Sequence, residues 1–183
     1  MRLFIAVPLP DQARQELSSV LDRLRPREWP VRWIRSEGAH LTLKFLGEVT
    51  RDRVDTIVEM MDFAVAGTLP IAMSLAGATA FPNYRRPRVL CLDVEAEPGL
   101  ELLQDRLERG SEPLGFPPEG RVFHPHVTLG RVREGHRLPD GWRSELERIP
   151  TGTPFVADRV VLFESELGNG GPSYRARHEV LLR

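Results

Sequence analysis

The 183-residue chain has one cysteine, one lysine, almost no net charge and no apolar run long enough to span a bilayer. Each scarcity excludes something. With Cys91 alone, no disulfide can form within the chain, which fits a reducing compartment and predicts a cytoplasmic protein with no membrane partner. Cys91 lies inside Val89-Leu90-Cys91-Leu92, the setting of a small buried hydrophobe rather than a nucleophile. The N-terminal MRLFIAVPLP has an apolar part too short for a signal-peptide core and meets Pro8 and Pro10 at once. A net charge of −1 gives no sign of a protein that coats nucleic acid, although it leaves room for a local basic groove. Twenty-four of the 25 basic residues are arginine, and Lys44 is the only lysine.

What is present is an ordinary globular balance, 41% hydrophobic and 28% charged, at a length that suits one domain or two small lobes. The apolar spacing predicts strands over 2–7, 31–34, 41–46, 71–80, 89–94, 126–132, 155–164 and 174–182. Helices are predicted over 11–24, 52–66 and 100–114, with loop or short irregular helix over 133–153. The proline-bounded FPNYRRPR (81–88) reads as a turn that crosses between lobes, and LGNGGPS (167–173) as a glycine-rich turn.

A shift of 86 residues lays His40-Leu41-Thr42-Leu43 on His126-Val127-Thr128-Leu129. The same shift lays strand 2–7 on 88–93 and brings helix 11–24 near helix 100–114. Such a duplication predicts one bilobal domain over 1–183, with two pseudo-symmetric lobes and their matching strands facing each other across a cleft.

Strand parity puts His40, Thr42 and Lys44 on one face and Leu41, Leu43 and Phe45 on the other. The second copy puts His126 and Thr128 together, with Val127 and Leu129 behind. Two imidazoles and two hydroxyls around one pocket suit a phosphate diester. One histidine acts as base and the other as acid near neutral pH, and the hydroxyls donate to non-bridging oxygens. That chemistry needs neither metal nor cofactor, and no serine or cysteine stands ready as a nucleophile. His124 makes HPH with His126, but a third metal ligand at useful spacing is missing. His136 and His178 read as structural.

The tetrads, together with WIRSEGAHLTLKFLGEV, FPNYRRPRVL, HPHVTLGRV and SELGNGGPSYRARHEVLL, resemble the 2H phosphoesterase superfamily. Within it they are similar to the RNA 2′,3′-cyclic phosphodiesterases, the LigT/ThpR branch also called 2′-5′ RNA ligases. The resemblance covers nearly the whole chain. It implies an α+β fold of two lobes, each a mostly antiparallel sheet with helices on its outer face, flanking a central cleft. It implies hydrolysis of RNA 2′,3′-cyclic phosphate ends, or of nucleoside 2′,3′-cyclic phosphates, to 2′-phosphomonoesters, with reversible 2′-5′ ligation as related chemistry. A monomer is the default expectation.

It carries His40, His126, Thr42 and Thr128 over as the site. His126 is read as the acid at O3′ and His40 as the base for water, with the reverse assignment left open by the pseudo-symmetry. Lys44 shares the parity of His40, which offers two readings: a side chain at the cleft mouth near a phosphate, or a solvated lysine. Its counterpart Gly130 would leave room for a base or ribose. Arg131 has the wrong parity for the His126 face unless a bulge follows Gly130, yet the family pattern favours an arginine near the phosphate. Tyr174, Phe81 and Phe45 are candidates for stacking on a base, with a core role as the alternative for each and favoured by parity for Phe45. A binding module without turnover, or a sister activity on 2′-5′ oligonucleotides or ADP-ribose cyclic phosphate, would share the same tetrads.

Overall fold

The computed structural model describes residues 1–168 and 171–183, so the centre of the predicted 167–173 turn, Asn169 and Gly170, lies outside the described residues. The strands are β1 (Arg2–Pro8), β2 (Val31–Trp33), β3 (His40–Glu48), β4 (Ile71–Phe81), β5 (Val89–Ala96), β6 (His126–Val132), β7 (Pro154–Ala157), β8 (Arg159–Gly168) and β9 (Gly171–Leu181). The helices are α1 (Asp11–Leu24), α2 (Val54–Val65), α3 (Gly99–Ser111) and α4 (Trp142–Glu147). No helix among the described residues is long and apolar enough to cross a membrane.

The strands run in the order β7-β4-β5-β6-β3-β1-β8-β9, with β2 added to β6. Outward from the β6–β3 junction, one half is β3-β1-β8-β9 and the other is β6-β5-β4-β7. Each half is antiparallel throughout. The expected α+β architecture of two matching antiparallel halves is present.

Each half buries one face under helices, as alternation requires. Leu41, Leu43, Val127, Leu129, Leu90 and Leu92 point into that core. The helices are exchanged between halves. α1 follows β1 of the first half but packs beside β7 of the second, where Glu16 Oε1 accepts from the backbone N–H groups of Gly152 (2.8 Å) and Thr153 (3.2 Å). α3 follows β5 of the second half but packs against β3 and α2 behind the first. α2 is tied to β9 by the contact of His178 Nε2 with Asp62 Oδ1 at 2.6 Å.

Two sequence expectations need correction. Residues 82–88 do not cross between halves; β4 and β5 are antiparallel neighbours, so the segment is a hairpin turn within one half. The single strand expected over 155–164 is two strands, β7 on β4 and β8 on β1, and the chain crosses between halves at Asp158. A continuous apolar run hides such a break, because both pieces alternate alike.

Lys44 fastens α3 to the first half. Its ammonium is buried, 1% exposed, and donates to Glu108 Oε2 at 2.5 Å and to the Pro117 carbonyl at 2.7 Å. Gln104 donates to the other Glu108 oxygen at 3.0 Å. Breaking a buried pair strands its partner, whereas replacing both ends with apolar groups removes both desolvation costs. Lys44→Ala is therefore expected to lower unfolding free energy by about 3 kcal/mol or more, with Lys44→Met/Glu108→Leu close to wild type. Urea titration of both variants checks this.

Candidate active site

β3 and β6 are joined by a single rung, the pair Leu41↔Val127. Beyond that rung β3 keeps to β1, and β2 takes over the free edge of β6 through Val31↔Val132, Arg32↔Arg131 and Trp33↔Gly130. The antiparallel direction puts His40 and Thr128 on one side of the rung and Thr42 and His126 on the other. Leu41 and Val127 face the core, so all four polar side chains face away from it, and each is half-buried. The two tetrads thus share one face of the sheet.

Each tetrad ends in a β-bulge at its leucine. On β3 the register jumps from Ala6↔Thr42 to Ile5↔Lys44, leaving Leu43 extra. On β6 it jumps from Cys91↔Thr128 to Leu90↔Gly130, leaving Leu129 extra. An extra residue reverses the parity of the residues after it. Lys44, expected at the cleft mouth or in solvent, is turned to the core side. Phe45, expected in the core, is 57% exposed on the cleft side, where it packs against Phe4. Arg131 gains the His126 face by the same jump, and is exposed there. Gly130 leaves no room for a ligand: a Cβ there would meet Val31 Cγ1 at 2.6 Å, the Arg32 carbonyl oxygen at 2.9 Å and Trp33 Cε3 at 2.9 Å. The missing side chain makes space for β2.

The two imidazoles are held alike. His40 Nδ1 lies 2.8 Å from the Gly38 carbonyl, and His126 Nδ1 lies 2.6 Å from the His124 carbonyl. A carbonyl only accepts, so Nδ1 carries hydrogen in both rings, and Nε2 is left without a protein partner among the described residues. His136 makes the same contact to Glu134 in a distant loop, so the motif alone does not define a site.

Around His40 stand Phe4, with ring centroids 4.7 Å apart, and Tyr174, edge-on at 4.9 Å. Gly38 permits that approach, since a Cβ would meet Tyr174 Cδ2 at 3.1 Å. Around His126 stand Phe81 at 4.7 Å and His124 at 6.4 Å. Asp93, directly across from His126 in the ladder, bonds to His124 Nε2 at 2.8 Å. Strand parity within one strand has no means of finding Asp93 or Phe4, because both reach the site from neighbouring strands.

Burial lowers the His40 pKa below the ordinary histidine value, and its bond to Gly38 opposes this only in part. Burial pushes the Cys91 thiol up to about 12, although a Thr128 hydrogen bond and the Arg131 charge oppose it. A thiol held there stays protonated and is no nucleophile. Burial also raises Tyr174, and Arg131 and Arg2 both act against that shift, so Arg131 of the second half is felt by a phenol of the first.

The fold and the doubled tetrad define a 2H phosphoesterase. The chain belongs to the LigT like phosphoesterase family, whose model matches it twice, over residues 7–91 and 92–174. An RNA 2′,3′-cyclic phosphodiesterase of Thermotoga maritima is 33% identical over 180 residues, covering 98% of this chain and 94% of that one. The crystal structure of TT0787 of Thermus thermophilus superposes with a TM-score of 0.85 at 29% identity, covering 100% of this chain and 98% of that one. The structure of E. coli LigT complexed with 3′-AMP gives 0.79 at 25%, covering 99% and 97%.

His40 supplies a solution test. With its folded pKa below the unfolded value of about 6.5, the unfolded chain binds more protons on acidification. The stability that His40 contributes is therefore complete above pH 6.5 and is lost as pH falls towards the folded pKa. An NMR titration is expected to give a His40 midpoint below 6.5, and a midpoint at or above it contradicts the burial argument.

Proposed function

We propose that the protein hydrolyses RNA ends bearing a 2′,3′-cyclic phosphate to 2′-phosphomonoesters, using His40 and His126 as base and acid. The observation that carries this is the matched pair of imidazoles on one shared face, each with Nδ1 on a carbonyl two residues back and Nε2 without a protein partner among the described residues. The names of the relatives agree with the reaction.

In the forward step His40 Nε2 accepts a proton from water as the water oxygen bonds to phosphorus. The P–O3′ bond breaks, and Nε2–H of His126 delivers its proton to O3′, while the phosphate stays on O2′. Solvent then returns both histidines to their starting states. Burial holds His40 in the neutral form that a base requires, which supports this assignment over the reverse. Thr42 and Thr128 donate their hydroxyls to the non-bridging oxygens, and Arg131 offsets the developing charge. Tyr174 backs His40 edge-on. Lys44 has no part, since its ammonium is committed to Glu108. A 5′-hydroxyl in place of water forms a 2′-5′ linkage by the same displacement.

His40→Ala and His126→Ala are each expected to lower kcat/KM on a 2′,3′-cyclic phosphate by about 10²–10⁴, the range of a general acid or base. Product analysis should find the 2′-phosphate, with the rate unaffected by EDTA. A profile of kcat/KM that stays flat from about pH 5 to 8 contradicts two titrating groups. Activity retained in His126→Ala removes it as the acid.

A further inference from the structure

Arg14, Arg109, Arg143 and Arg159 have carboxylate partners. Arg32, Arg85, Arg86 and Arg131 are all exposed, and none has an ion-pair partner among the described residues.

Their placement follows from the ladder. Arg32 and Arg131 are direct cross-strand neighbours, so their side chains leave the sheet on the same face. Like charges set opposite one another destabilise a sheet. An anion lying across the pair relieves that repulsion. Arg131 is next to Val89, and Val89 is next to Phe81, so one row runs Arg32–Arg131–Val89–Phe81 across four strands. At about 4.8 Å per strand the row is roughly 14 Å wide, more than one phosphate group fills. It continues into the 82–88 turn. There the Asn83 side-chain oxygen accepts the backbone N–H groups of Arg85 and Arg86, both at 3.0 Å, and fixes the turn that carries the two guanidinium groups.

The row also holds an aromatic ring. Phe81 reaches from it to the His126 imidazole, 4.7 Å between centroids. A line of cations broken by an aromatic face, running to the reacting group, suits a single nucleic-acid strand. The matching row of the first half is Phe45–Phe4–Phe163, which has no cation and no counterpart of β2. The asymmetry gives the substrate a direction.

We propose that Arg32, Arg131 and the Arg85–Arg86 turn form a track for the phosphodiester backbone of RNA leading to the cyclic end, so that oligonucleotides are better substrates than mononucleotides. This rests on the cyclic phosphodiesterase activity proposed for the same site. The cyclic end lies at the tetrads, and the preceding nucleotides lie over the row that β2, β6, β5 and β4 form.

The test compares kcat/KM for a short oligoribonucleotide ending in a 2′,3′-cyclic phosphate with that for a nucleoside 2′,3′-cyclic phosphate. The wild-type ratio of oligonucleotide to mononucleotide is expected to be about tenfold or more. Arg32→Ala and Arg85→Ala/Arg86→Ala should each reduce that ratio severalfold. They should also flatten the salt dependence on the oligonucleotide by about one in log–log slope per charge removed. Arg32→Lys should keep the slope, and Arg32→Ala should not lower the thermal midpoint, since it removes a repulsion. A wild-type ratio near one, or variants whose ratio and salt slope match wild type, overturns the track while leaving the phosphodiesterase intact. Failure to hydrolyse either substrate overturns the phosphodiesterase reading itself.

Discussion

One rung of backbone pairing, Leu41 with Val127, holds the cleft together. Each residue is the second of its tetrad, and each points to the core. That orientation forces the first and third residues of both tetrads onto the opposite face. The distance between two histidines 86 residues apart in sequence therefore depends on two apolar side chains finding one core. Because the shared ladder is so short, β2 can attach to β6 beyond it, and Gly130 is the residue that lets it do so.

The bulges turn a duplicated sequence into an unsymmetrical site. Both tetrads end in a leucine that the neighbouring strand skips, so both strands change parity at the same point. The backbone event is the same twice, but the side chains it delivers are not. In the first half it sends a lysine inward to Glu108 and a phenylalanine out to the cleft. In the second it sends a glycine under β2 and an arginine out. At that one position the first half presents an aromatic ring and the second a cation.

Much of the fold is legible in the sequence because alternation and helical spacing are local. Most strand positions, the three long helices and the pairing of two similar antiparallel halves follow from such patterns and from the 86-residue shift. The errors share one cause. Phe45 and Lys44 are misplaced when parity is extended through a bulge that only the neighbouring strand reveals. Residues 82–88 read as a crossing because a turn does not say which strands it joins. The break at Asp158 escapes notice because β7 and β8 alternate alike while belonging to opposite halves. Arg131 is the one position where sequence parity makes a bulge the explicit condition, and the register supplies it.

By itself the sequence determined which side chains share a face within each tetrad, since two-residue alternation is a property of a single strand. It also determined that the pattern occurs twice. Only the tertiary structure decided that the two faces merge, that α1 and α3 are exchanged between halves, and that Arg32 stands beside Arg131. Those outcomes depend on register between strands far apart in the chain, and register is set by how the shared core fills rather than by any local preference.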